Sequence, residues 1–283
     1  MAQIIDGKLV SAHIREEIKK DIESIKSQSG ITPGLAVILV GEDPASQVYV
    51  RNKHKACADV GINSVQIYMP AETTEDELLS KIGELNADSS VHGILVQLPL
   101  PKHINEEKII LAISPEKDVD AFHPVNVGRI MTGKYSYLPC TPAGVMTLLD
   151  YYKIDISGKN CVIIGRSNIV GKPMALLLLE KNGTPTICHS RTQNLKDITK
   201  DADILVVAIG KANFIKGDDI KEGAVVIDVG INRLPDGKLC GDVEFDTAAQ
   251  RASYITPVPG GVGPMTITTL LRNTVTAASV LSK

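Results

Sequence analysis

A tyrosine and a lysine share one face of a predicted helix near residue 50. Pro44 suits the first position of that helix, and Ser46, Tyr49 and Lys53 then follow at positions i, i+3 and i+7. A phenol one turn away from an amine can orient and polarise it, which suits a group that carries protons. Taken alone, however, the spacing favours an ordinary solvated helix face over a catalytic one.

Two further polar positions favour a ligand site. Gln97 interrupts the very apolar segment ILVQLPLP, and the carboxyl end of a parallel strand faces the crevice in which such sheets bind ligands. Asp118 and Asp120 lie in the irregular segment EKDVDAFHPVN, where a carboxylate could accept two hydrogen bonds from the edge of an amino-pyrimidinone ring. The spacing does not decide which of these aspartates binds a ligand and which is a turn residue.

The segment CVIIGRSNIVGKPM (161–174) is typical of a nucleotide-binding strand, loop and helix, although its loop is unusual. The dinucleotide fingerprint G-x-G-x-x-G has a second glycine that lets the backbone approach a pyrophosphate. Here Gly165 is followed by Arg166 and Ser167, and the next glycine is Gly171. The following helix would still offer unpaired N–H groups to an anion, but a strand-to-helix turn without a ligand has the same pattern.

The end of the next predicted strand indicates which cofactor binds. NAD-selective folds carry an acidic residue there, which binds the ribose hydroxyls. The segment TICHSRT (186–192) has no acid but has Ser190 and Arg191, and an arginine offers forked donors to a 2′-phosphate. Arg166 and Ser167 from the neighbouring turn could converge on the same phosphate. The sequence therefore predicts NADP as the cofactor.

The composition argues against several other classes of protein. The 283 residues carry a net charge of −3, which does not suit a nucleic-acid-binding surface. The five cysteines form no C-x-x-C pair and are typical of reduced core thiols, and the six histidines match no metal-site spacing. No secretory signal and no run of ~18 apolar residues is visible. We predict a cytoplasmic protein without metal, nucleic-acid or membrane partners.

Short apolar runs alternate with amphipathic helical patterns along the chain. Continuous Val/Ile-rich runs such as GLAVILVG and DILVVAIG suit strands buried on both faces of a parallel sheet. The alternation predicts two α/β domains with a cleft between them, the C-terminal one a Rossmann-like parallel-sheet NADP-binding domain. The predicted boundaries are 1–141 and 142–265, with a loop at PGGVGP (259–264). A helix over 266–283 could pack on either domain, and we assign it to the first.

Seven segments together resemble one known family. These are YVRNKHKA, ILVQLPL, KDVDAFHP, PCTP, GRSNIVGKP, CHSRT and PGGVGPMTI. In this order they resemble the motifs of the bifunctional methylenetetrahydrofolate dehydrogenase/cyclohydrolases, and the resemblance covers essentially the whole chain. One departure is Ala121, where the family usually has glycine.

The resemblance implies two consecutive reactions of one-carbon metabolism, which supply purine biosynthesis. An NADP-dependent dehydrogenase would oxidise 5,10-methylenetetrahydrofolate to the 5,10-methenyl cation, and a cyclohydrolase would hydrolyse that cation to 10-formyltetrahydrofolate. The implied partners are tetrahydrofolate derivatives, with or without a polyglutamate tail, and a second copy of the chain. We expect the homodimer to form through the sheet of the cofactor domain or its edge.

The resemblance also assigns roles to residues. Lys53 corresponds to the principal acid/base of hydrolysis, Tyr49 and Gln97 position it and the folate, and Asp120 holds the pterin ring. These four are the expected catalytic residues, and they also bind the substrate together with Leu98, Pro99, Pro264 and Thr266. The expected cofactor-binding residues are Gly165, Arg166, Ser167, Ser190, Arg191, Ile231, Gly260 and Gly261.

Two other functions are compatible with parts of the pattern. An NADP-dependent dehydrogenase without cyclohydrolase activity would not need the set Tyr49, Lys53 and Gln97. A nucleotide-sensing or protein-binding α/β module would leave those polar residues unexplained, and it would not respond to folates.

Overall fold

The computed structural model describes residues 1–281, and the chain divides into two compact units. The six-stranded unit comprises Met1–Ala12 and Pro139–Thr266, and the three-stranded unit comprises His13–Leu138 and the chain from Ile267 onward. Two helices, α1 (Gly7–Ser29) and α10 (Val262–Leu281), contribute residues to both units. Among the described residues, no helix is long and apolar enough to cross a bilayer.

The three-stranded unit alternates strands and helices. Its elements are β2 (Gly34–Val40), α2 (Pro44–Val60), β3 (Asn63–Met69), α3 (Glu75–Ala87), β4 (Gly93–Val96), α4 (Glu106–Ala112) and α5 (Pro124–Met131). The sheet is parallel in the order β3-β2-β4. Every residue of the central strand β2 is buried, as expected for an apolar run covered on both faces. Helix α2 begins at Pro44, as predicted, and its N-cap Asp43 accepts a hydrogen bond from the Ser46 N–H.

The six-stranded unit carries a parallel sheet in the order β1-β11-β8-β7-β5-β6. Its strands and helices are β1 (Gln3–Ile4), α6 (Cys140–Tyr151), β5 (Asn160–Ile164), α7 (Gly171–Glu180), β6 (Thr184–Cys188), α8 (Leu195–Lys200), β7 (Ile204–Val207), β8 (Val225–Asp228), β9 (Asn232–Arg233), β10 (Leu239–Cys240), α9 (Phe245–Ala248) and β11 (Tyr254–Ile255). A 3₁₀ turn spans Gly217–Asp219. The buried runs of β5, β7 and β8 form the centre of this sheet, and the predicted fold class is confirmed.

The first twelve residues lie outside the unit in which the prediction placed them. The predicted boundary places them in the first domain, but β1 pairs in parallel with β11, and the Ile5 N–H donates to the Ile255 carbonyl at 2.9 Å. Gly7 then packs so closely that a Cβ there would lie 1.7 Å from the Gly261 carbonyl oxygen. Backbone pairing and this close approach place the N-terminus in the six-stranded unit.

Helix α10 begins earlier than predicted. The expected loop at 259–264 ends at Gly261, and Val262 opens the helix. Pro264 is tolerated because the first turn of a helix needs no intrahelical N–H donor. Further along, Thr274 and Thr276 donate their hydroxyl protons to carbonyls four residues earlier, which accommodates these indifferent helix formers.

Candidate active site

Lys53 is a buried amine in the three-stranded unit. It lies on the inner face of α2 with Val50 and Cys57, and only 8% of the residue is exposed. Its Nζ donates to Gln97 Oε1 at 3.0 Å. Within residues 1–281, no carboxylate lies within ion-pair distance of this amine. Lys53 is therefore held by a neutral amide and not by a charged group.

Gln97 directly follows β4, where the prediction placed a ligand-facing amide. Its N–H donates to the Ile38 carbonyl at 2.8 Å, which continues the pairing of β4 with β2. Its side-chain Nε2 donates to the Leu98 carbonyl at 2.7 Å, so the amide oxygen is directed to Lys53. The carboxyl end of the sheet therefore brings together Lys53, Gln97 and Leu98, and Pro99 follows on an exposed turn.

Tyr49 lies at the border of the buried face of α2. Ser46 is buried, whereas 39% of Tyr49 is exposed. Partial burial raises the pKa of the Tyr49 phenol, so this group remains a proton donor at neutral pH. A phenol at this position can stack on or donate to a ligand that reaches Lys53.

The two aspartates of EKDVDAFHPVN have different environments. Asp118 is 2% exposed, and its Oδ2 accepts from the His123 N–H and from Asn126 Nδ2, both at 2.8 Å. Asp120 is partly exposed. Asp118 therefore holds the turn, whereas the Asp120 side chain is only partly buried.

Ala121 adopts a left-handed conformation (φ 57°) although it is fully buried. This conformation costs a non-glycine residue roughly 1–2 kcal/mol, while glycine would lose about 0.8 kcal/mol of methyl burial and gain unfolded-state entropy. We expect Ala121→Gly to change the free energy of unfolding by less than about 0.5 kcal/mol, because these terms offset each other.

The control for this substitution is Ala36→Gly in β2, which is equally buried but has extended backbone. It relieves no strain, so we expect a loss of more than about 1 kcal/mol in denaturant unfolding. Equal losses for the two variants would contradict the strain assigned to Ala121.

The loop between β5 and α7 is a tight turn. Gly165 has φ 132°, and a Cβ there would lie 2.4 Å from the Ala208 carbonyl oxygen. A Cβ at Gly171 would lie 2.1 Å from the Gly165 carbonyl oxygen, so both glycines are needed for so tight a turn. Arg166 and Ser167 are exposed at its tip. The Ser167 hydroxyl accepts hydrogen bonds from the N–H groups of Val170 and Gly171 at 3.1 and 3.4 Å, which caps the start of α7. Lys172 donates its N–H to the Ser167 carbonyl, so the expected unpaired N–H groups at the start of α7 are instead bound within the turn.

The turn after β6 lies beside that loop. The Gly165 N–H donates to the Cys188 carbonyl at 2.9 Å and joins the ends of β5 and β6. Ser190 and Arg191 follow at exposed positions, and the Arg191 N–H donates to His189 Nδ1. Within the described residues, neither Arg166 nor Arg191 forms an ion pair with a carboxylate. Both guanidinium groups therefore lie at exposed positions beside this glycine-lined loop.

The remaining predicted residues lie around the start of α10, also in the six-stranded unit. Ile231 is 47% exposed, and its Cδ1 lies 3.7 Å from the position of a Cβ on Gly263. Gly260, with φ 111°, and Gly261 form the turn before the helix. Pro264 is in the first turn, and the Thr266 hydroxyl lies 3.0 Å from that of Thr141. Ile231 is thereby brought to the PGGVGP turn.

Comparisons with known proteins identify the family. Residues 5–120 match the family model described as the catalytic domain of tetrahydrofolate dehydrogenase/cyclohydrolase, and residues 139–282 match its NAD(P)-binding domain. The chain belongs to the tetrahydrofolate dehydrogenase/cyclohydrolase family. The predicted family, its pair of activities and the NADP cofactor are confirmed.

Individual members of the tetrahydrofolate dehydrogenase/cyclohydrolase family are similar over their whole length. The bifunctional protein FolD of Acetivibrio thermocellus is 62% identical over 282 residues, which is 100% of this chain and 99% of that protein. The crystal structure of FolD from Campylobacter jejuni matches with a TM-score of 0.97 at 53% identity, covering 99% of both chains. FolD of Trypanosoma brucei, solved with NADP cofactor and an inhibitor, has a TM-score of 0.95 at 41% identity, covering 99% and 98% of the two chains.

Sequence reasoning missed two buried aspartates of this family member, Asp228 and Asp242. Both lie in the six-stranded unit and are at most 3% exposed. An aspartate that ends the apolar strand VVID was the available signal, since a buried carboxylate must find donors. Among the described residues there is no group of three or more His, Cys, Asp or Glu side chains suited to a metal ion.

Proposed function

We propose that Lys53 is the proton carrier of the cyclohydrolase reaction, and that the loops after β5 and β6 hold the 2′-phosphate of NADP for the dehydrogenase reaction. The substrate is 5,10-methylenetetrahydrofolate, and the final product is 10-formyltetrahydrofolate. The observation that carries this assignment is the buried Lys53 amine, which donates to Gln97 and has no carboxylate partner within residues 1–281.

Hydrolysis of the methenyl cation needs a placed water and a group that moves protons. The cation is already electrophilic, so a well-placed amine can take one proton from the attacking water and pass it to the ring nitrogen when the C–N bond breaks, while the second proton of the water is released to solvent as the formyl C=O forms. Gln97 fixes Nζ through a neutral amide at 3.0 Å, so the amine is oriented without a charged partner.

Folate binding draws on the groups around this amine. Asp120 accepts hydrogen bonds from the pterin edge, and Tyr49 contacts the ring beside Lys53. Leu98 and Pro99 provide apolar surface next to Gln97. Pro264 and Thr266 complete the set of substrate residues from the start of α10. The partly exposed positions of Tyr49 and Asp120 support these roles.

The cofactor residues bind and orient rather than react. When bound, NADP supplies the hydride acceptor of the oxidation. Arg166, Ser190 and Arg191 contact its 2′-phosphate, and Ser167 shapes the loop by capping α7. Gly165, Gly260 and Gly261 allow close approach of the backbone, and Ile231 packs against the cofactor.

The assembly and compartment follow the family pattern. We infer a homodimer through the edge of the six-stranded sheet, because β6 is an outer strand and leaves Ile187 38% exposed. The five cysteines are free, which suits the reducing cytoplasm. A monomeric mass in light scattering at micromolar concentration would contradict the dimer.

The experiment mixes the purified protein with 5,10-methylenetetrahydrofolate and either NADP or NAD. Reduced cofactor and methenyl absorbance are followed in the same cuvette. We expect reduced NADP to form without accumulation of the methenyl compound, and NAD to be the poorer substrate. Accumulation of methenyl compound would refute the role of Lys53, and a preference for NAD would refute the phosphate site.

A further inference from the structure

Asp242 is a buried carboxylate that ties two loops together. It is completely buried, and its Oδ2 accepts from the N–H groups of Ile209 and Gly210 at 2.7 and 3.0 Å. Its Oδ1 accepts from the Lys211 N–H at 2.8 Å and from Asn232 Nδ2 at 2.9 Å. One side chain therefore holds the segment after β7 and the hairpin strand β9.

Asp228 holds Asp242 in place. It ends β8, is 3% exposed, and its Oδ1 accepts from the N–H groups of Gly230 and Asp242 at 3.0 and 2.9 Å. Its Oδ2 accepts from the Val243 N–H at 2.8 Å. The two carboxylates thus form an interlocked pair, in which the side chain of one binds the backbone of the other.

Two glycines show how little room this pair leaves. A Cβ on Gly230 would lie 2.2 Å from Asp242 Cγ, and a Cβ on Gly241 would lie 1.8 Å from Asp228 Oδ2. Ile231 stands between Gly230 and Asn232, both of which are bound by the pair. The backbone N–H before Ile231 and the side chain after it are therefore held, although the Ile231 side chain itself is 47% exposed.

The segment bound by Asp242 also touches the cofactor loop. Residues 209–211 follow β7, which pairs with β5. Ala208 directly precedes this segment, and its carbonyl oxygen would lie 2.4 Å from a Cβ on Gly165, so the start of the bound segment adjoins the first glycine of the loop. Ligands of parallel sheets bind at this carboxyl edge.

Neither Asp228 nor Asp242 has a cationic partner among the described residues. Within the described residues, no Lys, Arg or His nitrogen lies within 4.0 Å of either carboxylate. Burial, with the nearby Asp242 charge, raises the pKa of Asp228 to about 6. The carboxylates are compensated by hydrogen bonds from the loop backbone and from Asn232, which apolar side chains could not accept, so their role is to hold these loops.

We propose that Asp242 is a positioning residue of the dehydrogenase, which fixes Ile231 and the segment 209–211 against NADP. The inference rests on the proposed function, because it takes Ile231 and Gly165 as cofactor-binding residues. It adds a specific consequence: loosening this carboxylate affects the oxidation and leaves the hydrolysis intact.

The variant Asp242→Asn tests this with nearly unchanged side-chain shape. An amide has one acceptor oxygen for four donors, so its NH₂ must face backbone N–H groups that it cannot bind. We expect the KM for NADP to rise about tenfold, since a buried donor that loses its acceptor is costly. Hydrolysis of supplied methenyl compound without any cofactor should stay within twofold of wild type.

Asp219→Asn is the matched control. Asp219 is also buried in the six-stranded unit and accepts from the Lys216 N–H, but it pairs with Lys196 and does not bind the segment 209–211. We expect its KM for NADP to remain within twofold of wild type. An unchanged KM in Asp242→Asn, an equal rise in both variants, or a parallel fall of both activities would overturn the proposal.

A milder variant keeps the test decisive if Asp242→Asn does not fold. Asn232→Ala removes one of the four donors and leaves the carboxylate and its backbone partners in place. We expect about a threefold rise in the KM for NADP with hydrolysis unchanged, and no rise would contradict the proposal. Wild-type enzyme that fails to use NADP would instead refute the proposed function itself.

Discussion

Replacing Lys53 with methionine should reduce hydrolysis of 5,10-methenyltetrahydrofolate by about a thousandfold, because a positioned acid/base contributes roughly 10²–10⁴. Methionine matches the length of the lysine stem and suits a site that is 8% exposed, so α2 should keep its packing. The Gln97 amide oxygen would lose its donor. The initial rate of decay of methenyl absorbance, without cofactor, measures the loss directly.

Lys55→Met is the matched control for this prediction. Lys55 lies on the same helix but is exposed, so the substitution removes an equal charge without touching Gln97. We expect its hydrolysis rate to stay within twofold of wild type. A Lys53→Met enzyme that keeps a tenth or more of the wild-type rate would show that another group carries the proton.

Removing both guanidinium groups from the cofactor loops should abolish the preference for NADP. Hydrogen bonds to charged groups contribute about 1.5–3 kcal/mol each, so Arg166→Ala with Arg191→Ala should lower kcat/KM for NADP about 10²–10⁴-fold. The value for NAD should change little, since NAD has no 2′-phosphate. Initial rates with the two cofactors, at a fixed folate concentration, give the ratio.

Lys181→Ala serves as the control for the double variant. Lys181 is exposed at the far end of α7, so its removal changes the charge of the same unit at a distance from the phosphate loop. Its cofactor ratio should equal that of wild type. Equal losses with NADP and NAD in the double variant would show that the arginines act on the fold or on the common part of the cofactor.

Local pattern was sufficient for the main elements and for part of the site. The apolar run predicted β2, and Pro44 predicted the start of α2, the helix that carries Lys53. Local pattern could not place Gln97 beside Lys53, because that contact depends on the register of β4 against β2, which is a long-range property. The resemblance to the family supplied that pairing before the structure did.

Long-range contacts explain the features that the sequence did not predict. β1 has only two residues and no recognisable sequence pattern. It forms because it pairs with β11, some 250 positions further along the chain. Spacing could not separate Asp118 from Asp120, since the distinction rests on the side chain of Asn126. Asp228 and Asp242 were not predicted for the same reason, because their carboxylates accept hydrogen bonds from backbone N–H groups of other segments.

The central claim is that Lys53 serves the second reaction and not the first. The most direct measurement is the progress curve of Lys53→Met with 5,10-methylenetetrahydrofolate and NADP, recorded for reduced cofactor and methenyl compound together. Hydride transfer needs alignment rather than a proton carrier, so we predict that reduced NADP forms and methenyl compound accumulates in equal amounts. Reduced NADP forming without methenyl accumulation, as in the wild type, would contradict the account.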